Sequence, residues 1–229
     1  MTQVELDYLQ NLLGISFKDP KILQQAFYHR SYLNEVKINI KSNERLEFLG
    51  DSVLSLVISN LLFSTRIHDT EGELTNLRAY IVQTKSLAQA GLNLNLGKYL
   101  HLSRGEQAGG GRENPQLLAN TYEAMLGAIY IDQGLETAQK VIEQTLLPLF
   151  LSELSFGPPK DAKSSLQEIV QERFKESPHY KILETKGPDH AKQFIVAVYI
   201  KGERHGKGEG NSKQIAEEKA AAQALQRLT

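Results

Sequence analysis

Residues Asn43 to Leu54 read Asn-Glu-Arg-Leu-Glu-Phe-Leu-Gly-Asp-Ser-Val-Leu, and the apolar character continues to Phe63. From Leu46 to Phe63 the only charged side chains are Glu47 and Asp51. Taken as a helix, Glu44, Glu47 and Asp51 fall at i, i+3 and i+7, so all three acids share one face of a segment otherwise suited to a core. Carboxylates held beside a core repel one another and lose hydration, which is costly unless cations neutralise them. A divalent-metal site explains the pattern. So does a helix N-terminus whose acids face solvent and the positive end of the helix dipole. Spacing alone leaves both open.

The chain has 229 residues, enough for one large or two small domains with real cores. It contains no cysteine, which excludes disulfides and thiolate metal sites and points to an intracellular protein. The N-terminal MTQVELDYLQ lacks the basic-then-apolar order of a signal peptide. The charge-free run Ser52 to Thr65 is short and serine-rich for a bilayer span, so a soluble protein with no membrane partner is expected. Residues 1–150 hold 13 Lys and Arg against 16 Asp and Glu, a net −3; residues 151–229 hold 13 against 11, a net +2. Neither half is basic enough to announce a nucleic-acid partner by charge alone.

From about Val4 to Phe150 the apolar spacing is helical, with no strand-like alternation, so this part is expected to be all-α. Gly105 to Pro115, with Gly109-Gly110-Gly111, reads as a flexible hinge or crossing loop; it lacks the Gly-Lys-Ser/Thr ending of a phosphate-binding loop. Pro148 and then Ser155 to Lys160 have linker composition. Beyond them, Ala162 to Phe174 reads as a helix, and Tyr180 to Leu183 and Phe194 to Ile200 read as strands. Gly202 to Gly210 makes a turn and short strand. Asn211 or Ser212 then caps an alanine-rich helix from Ile215 to Leu228. The expected organisation is a domain over 1–152, a linker over 153–160 and a small α+β (α-β-β-β-α) domain over 161–229. No internal repeat or low-complexity segment is present.

The wording of Asn43 to Leu54 closely resembles the signature segment of the ribonuclease III family of double-stranded-RNA endonucleases. Ala26-Phe27-Tyr28-His29-Arg30-Ser31-Tyr32 resembles the family's opening; read alone, His29 and Arg30 suit a structural cap and a surface ion pair. Glu71 to Leu74, leading into Leu77 to Ala79, also fits the pattern, with Glu71 either near the catalytic valley or a solvated acid. In Leu118 to Gly127 the family places Asp-x-x-Glu, whereas this chain has Asn120 and Glu123. Asparagine offers a neutral carbonyl oxygen that can still ligate a hard cation, with one negative charge fewer.

The resemblance implies an all-α endonuclease domain followed by an α+β double-stranded-RNA-binding domain. It implies metal-assisted phosphodiester hydrolysis yielding 5′-phosphate and 3′-hydroxyl ends. Glu47, Asn120 and Glu123 are the implied ligands of Mg²⁺ or Mn²⁺, and Asp51 and Glu123 the catalytic acids. Asp51 would act through water, and Glu44 lies further out. No small-molecule cofactor beyond the cation is implied. The family homodimerises through the signature helix, and its pattern sends the aromatic at Phe48 into a partner pocket; an ordinary core role is the alternative. RNA contacts fall to Gln167 and Glu168 on the first helix of the second domain, His190 in the loop between strands, and Ser212 and Lys213 before the last helix. That set suits shape readout of A-form RNA. The pattern departs at Gln214, and Glu217 and Glu218 dilute positive charge there, implying weaker and more salt-sensitive binding. The implied substrates are ribosomal-RNA precursors and hairpins in messenger RNA, in the cytoplasm. The alternative, prompted by Asn120, is a dimeric scaffold or protector of double-stranded RNA that no longer cuts.

Overall fold

The structure is a computed structural model and describes residues 2–36, 40–158, 161–188 and 192–228. The chain divides into two compact units, residues 1–158 and 159–229.

The first unit is helical. Helix α1 (Gln3–Leu13) starts with a capping box between Thr2 and Glu5 and stops at Gly14, whose φ of 66° is a left-handed conformation open to glycine. Short helices α2 (Pro20–Gln25) and α3 (Arg30–Leu33) follow. The long helix α4 (Glu44–Thr65) carries the acidic segment. Helices α5 (Glu71–Val82) and α6 (Thr84–Asn93) lead through a 3₁₀ turn to α7 (Arg104–Ala108). Helix α8 (Pro115–Gln133) is capped by Asn114, whose Oδ1 accepts from the Gln116 and Leu117 amides at 2.9 and 3.3 Å. Helices α9 (Leu135–Thr145) and α10 (Leu151–Phe156) complete the unit.

Helices α4 and α8 form the centre. Leu46, Val53, Leu54, Val57, Ile58 and Leu62 of α4 are buried, and α8 buries nearly every residue from Leu118 to Ile129 except Asn120 and Glu123. By length and composition alone, α4 is the one helix among the described residues able to cross a membrane. It starts at Glu44, so it is longer than the charge-free run by itself. Its buried face meets α8 as a core helix.

Two stretches differ from the sequence expectation. The glycine-rich segment 105–115 is not an open loop. It contains α7 and a 3₁₀ turn at Gly111–Glu113, and Arg112 ties it down by donating to Gly97 O at 2.7 Å and Lys98 O at 2.9 Å. Residues 151–156, which overlap the stretch read as linker, are helical, and Arg66 donates to Leu154 O and Ser155 O there at 3.0 and 2.7 Å.

The second unit runs α11 (Ala162–Phe174), β1 (His179–Lys186), β2 (Gln193–Ile200), β3 (Glu203–Gly210) and α12 (Lys213–Leu228), the α-β-β-β-α order expected. The strands form one antiparallel sheet in the order β1-β2-β3, with Tyr180 opposite Val198 and Val198 opposite Gly206. Lys201 and Gly202, at φ 51° and 80°, make the tight β2–β3 turn. The core joins Leu166 and Val170 of α11, Val198 and Ile200 of β2, and Ala220, Ala221 and Ala224 of α12. A Cβ at Gly206 or Gly208 would lie 2.1 Å from Ala220 O or 2.2 Å from Ala216 O, so these glycines let α12 lie directly on β3.

Candidate active site

The site starts from two glycines where α4 crosses α8. A Cβ on Gly50 would fall 1.8 Å from Glu123 O, and one on Gly127 would fall 2.2 Å from Leu46 O. Without side chains at these points the two backbones touch. That contact brings Glu47 and Asp51 of α4 beside Asn120 and Glu123 of α8.

The electrostatics register this closeness. The Glu123 carboxyl is pushed up to about 7, first by burial and then by the negative charges of Asp51 and Glu47. Glu47 is also raised, by burial and then by Glu44, with the Arg30 guanidinium pulling the other way and Asp51 adding to the rise. Glu47 and Asn120 line one cavity of about 330 Å³, together with His29, Arg30, Glu44 and Gln116. Glu44 accepts from Ser42 Oγ at 2.8 Å and pairs with Arg30 at 3.7 Å, so it faces the rim.

A hard divalent cation fits this chemistry. The donors are all oxygens, and two of the acids sit above their ordinary range, first because they are partly buried and then because like charges crowd them. Among the described residues, however, no three His, Cys, Asp or Glu side chains converge closely enough to hold a metal ion. The fourth oxygen donor is the neutral amide of Asn120, whose Oδ1 accepts from Gln116 Nε2 at 2.7 Å.

Other candidates lie elsewhere. Glu71 accepts from Thr75 Oγ1 at 3.1 Å and lines a separate groove of about 610 Å³ with Leu56, Phe63 and Arg78, away from the acids. Phe48 is not a core residue: it is 77% exposed. His29 caps α3 and Arg30 pairs with Glu44, and both also line the acidic cavity.

In the second unit Gln167, Glu168 and Lys213 lie on the surface, and Ser212 Oγ accepts from the Ile215 amide at 3.2 Å, making Ser212 the cap of α12. His190 lies outside the described residues. Glu217 and Glu218 are engaged within the domain. Glu217 pairs with Lys163 Nζ at 2.5 Å, and Glu218 accepts from the Ala162 amide at 2.5 Å. These bonds tie the start of α11, which carries Gln167 and Glu168, to the start of α12.

A Ribonuclease-III-like family model matches residues 19–149, and a double-stranded RNA binding motif matches residues 162–228. Ribonuclease 3 of Geobacillus kaustophilus is 45% identical over 221 residues, covering 96% of this chain and 89% of that one. The chain belongs to the ribonuclease III family. Ribonuclease 3 of Chloroflexus aggregans is 47% identical, with 94% of each chain covered. The crystal structure of the nuclease domain of ribonuclease III from Campylobacter jejuni superposes with a TM-score of 0.59 at 38% identity, covering 66% of this chain and 98% of that domain. A second structure of that domain, with a TM-score of 0.59, is described as showing structural flexibility in a region involved in dimer formation. Membership makes the chain an endoribonuclease with a helical nuclease domain and a double-stranded RNA binding motif.

Sequence reading of this chain missed Gln116. The available signal was its position four residues before Asn120, which puts both amides on one face of α8.

Proposed function

We propose that the protein is a divalent-metal-dependent endonuclease that cuts both strands of double-stranded RNA as a homodimer, leaving 5′-phosphate and 3′-hydroxyl ends. The observation that carries this reading is the Glu123 carboxyl, raised to about 7 by burial and by Asp51 and Glu47 at a glycine-notched helix crossing. Acids crowded at such a crossing destabilise one another unless a cation or a proton neutralises them.

Glu47, Asn120 and Glu123 would hold Mg²⁺, with Mn²⁺ as a substitute. A cation held there would acidify a water and offset charge on the phosphoryl oxygens. Asp51 orients the attacking water. The water oxygen bonds to phosphorus, the bond to the 3′ oxygen breaks, and that oxygen takes a proton.

One site cuts one strand, so both strands require two sites. Exposed Phe48, Leu56 and Phe63, at 77%, 55% and 76%, support a dimer built on α4. They lie within about 80° of one another around the helix. The shape-reading motif and the family resemblance extend the proposal to cytoplasmic ribosomal-RNA precursors and messenger-RNA hairpins.

The test is incubation of a long RNA duplex and a matched single strand with Mg²⁺, followed by end analysis. Short duplexes with 5′ phosphates, and a spared single strand, are expected. A duplex that is bound but left whole would replace this reading with the scaffold reading.

A further inference from the structure

We infer that His29 contacts the substrate: its Nε2–H is held ready to donate to a backbone phosphate oxygen of the strand being cut. The inference rests on the nuclease reading above.

The argument begins with which ring nitrogen carries the proton. The Ser31 backbone amide donates to His29 Nδ1 at 3.3 Å, and a backbone N–H can only donate. Ser31 Oγ accepts from the Ser103 amide at 3.0 Å and lies 2.8 Å from the same Nδ1, where its hydroxyl hydrogen is free to add a second bond to that acceptor. Nδ1 is therefore an acceptor, and the neutral ring carries its proton on Nε2.

The ring's backbone is fixed on both sides. The His29 amide donates to His101 O at 3.2 Å, and the Asn43 amide, at the start of α4, donates to Tyr28 O at 2.9 Å. Nε2 has no hydrogen-bond partner among the described residues, and His29 lines the cavity that holds Glu47 and Asn120.

The charge pattern of the cavity gives that donor a task. A phosphodiester entering it meets the acids of α4 and is repelled. Arg30 offers a compensating cation, but it is engaged with Glu44 at 3.7 Å and its side chain is 74% exposed. A neutral N–H anchors a phosphate oxygen without adding a positive charge that would compete with the cation the acids need. Ser31 is the positioning residue that keeps the proton on Nε2.

Two substitutions separate contact from folding. In His29→Asn the amide oxygen sits about where Nδ1 was and keeps the helix cap, while the Nε2–H is lost. In His29→Gln the amide reaches about as far as Nε2 and keeps a donor, while the cap is lost. His29→Asn is expected to melt like the parent and to bind duplex within about threefold of it with Ca²⁺ in place of Mg²⁺, because the bond to the phosphate oxygen strengthens as negative charge builds on that oxygen during cleavage. Its cleavage rate at saturating duplex and Mg²⁺ should fall roughly 10- to 100-fold, the worth of one hydrogen bond to a charged group. His29→Gln should melt lower yet cut faster than His29→Asn. Nitrogen-15 NMR of the parent should show the Nε2–H tautomer. An active parent with His29→Asn cutting equally fast overturns the role of His29 alone. So does His29→Gln cutting no faster than His29→Asn, or a parent ring protonated at Nδ1. A parent that leaves the duplex whole overturns the nuclease reading and this role with it.

Discussion

The Gln116 side-chain amide donates to Asn120 Oδ1 at 2.7 Å across one turn of α8. The oxygen with which Asn120 could meet a cation is thus already oriented, and partly satisfied, by a neighbour on its own helix. The pair places a neutral, hydrogen-bonded amide beside Glu47 in the acidic cavity.

Asn120→Asp restores a charge at that point. Added negative charge strengthens binding of a hard cation. The Mg²⁺ concentration for half-maximal cleavage should fall about three- to tenfold, which a Mg²⁺ titration of the cleavage rate measures. An unchanged half-point would mean that residue 120 does not face the ion.

Glu123 sets a pH dependence in the metal-free protein. Its folded-state value of about 7 exceeds its ordinary 4.5, so the folded chain holds that proton longer than the unfolded chain does. The associated stability is fully present below about pH 4.5 and is lost as pH rises through about 7. After discounting for partial exposure it amounts to about 1–2 kcal/mol. Urea unfolding in EDTA at pH 5 and pH 8 should show the parent losing that much more than Glu123→Gln. Equal losses in both proteins would contradict the crowding of Glu123. Divalent-ion binding, which competes with the same proton, should tighten over this range.

Gly127→Ala tests the helix crossing. The added methyl would meet Leu46 O at 2.2 Å, so α4 and α8 must separate. Overpacking of this kind costs about 1–3 kcal/mol, read by denaturant unfolding, and cleavage should fall with it because the acids move apart. Stability equal to the parent's would show that the crossing is not tight.

What could be read from the sequence was whatever depended on neighbours along the chain. The face shared by Glu44, Glu47 and Asp51 was visible because two charges stand alone in a long apolar run. The α-β-β-β-α order was visible from β-branched strands and an alanine-rich helix. Contacts between distant residues were not visible. Gly50 and Gly127 each look like ordinary helix glycines until the other helix's backbone is set against them. Glycine-rich 105–115 reads as a loop because Arg112 finds its carbonyl partners at Gly97 and Lys98, outside the segment. Glu217 and Glu218 read as charges facing the ligand because Lys163 and Ala162 lie more than 50 residues earlier.

Those two acids make a prediction of their own. Removing a negative charge from an RNA-binding domain ordinarily tightens binding. Glu218 instead satisfies the Ala162 amide at the start of α11, so Glu218→Ala should lower stability by about 1 kcal/mol and leave duplex affinity equal or weaker. Thermal melting and a duplex-binding titration check this. Markedly tighter binding would mean that Glu218 faces the RNA.

The most direct measurement compares duplex cleavage by the parent and by Glu123→Gln in Mg²⁺, with duplex binding followed in Ca²⁺. The account predicts that Glu123→Gln binds the duplex like the parent and cuts it roughly a thousandfold more slowly or not at all, a barrier difference of about 4 kcal/mol. Cleavage by Glu123→Gln within about tenfold of the parent would contradict it, because the carboxyl at the centre of the acidic crossing would then not serve the reaction.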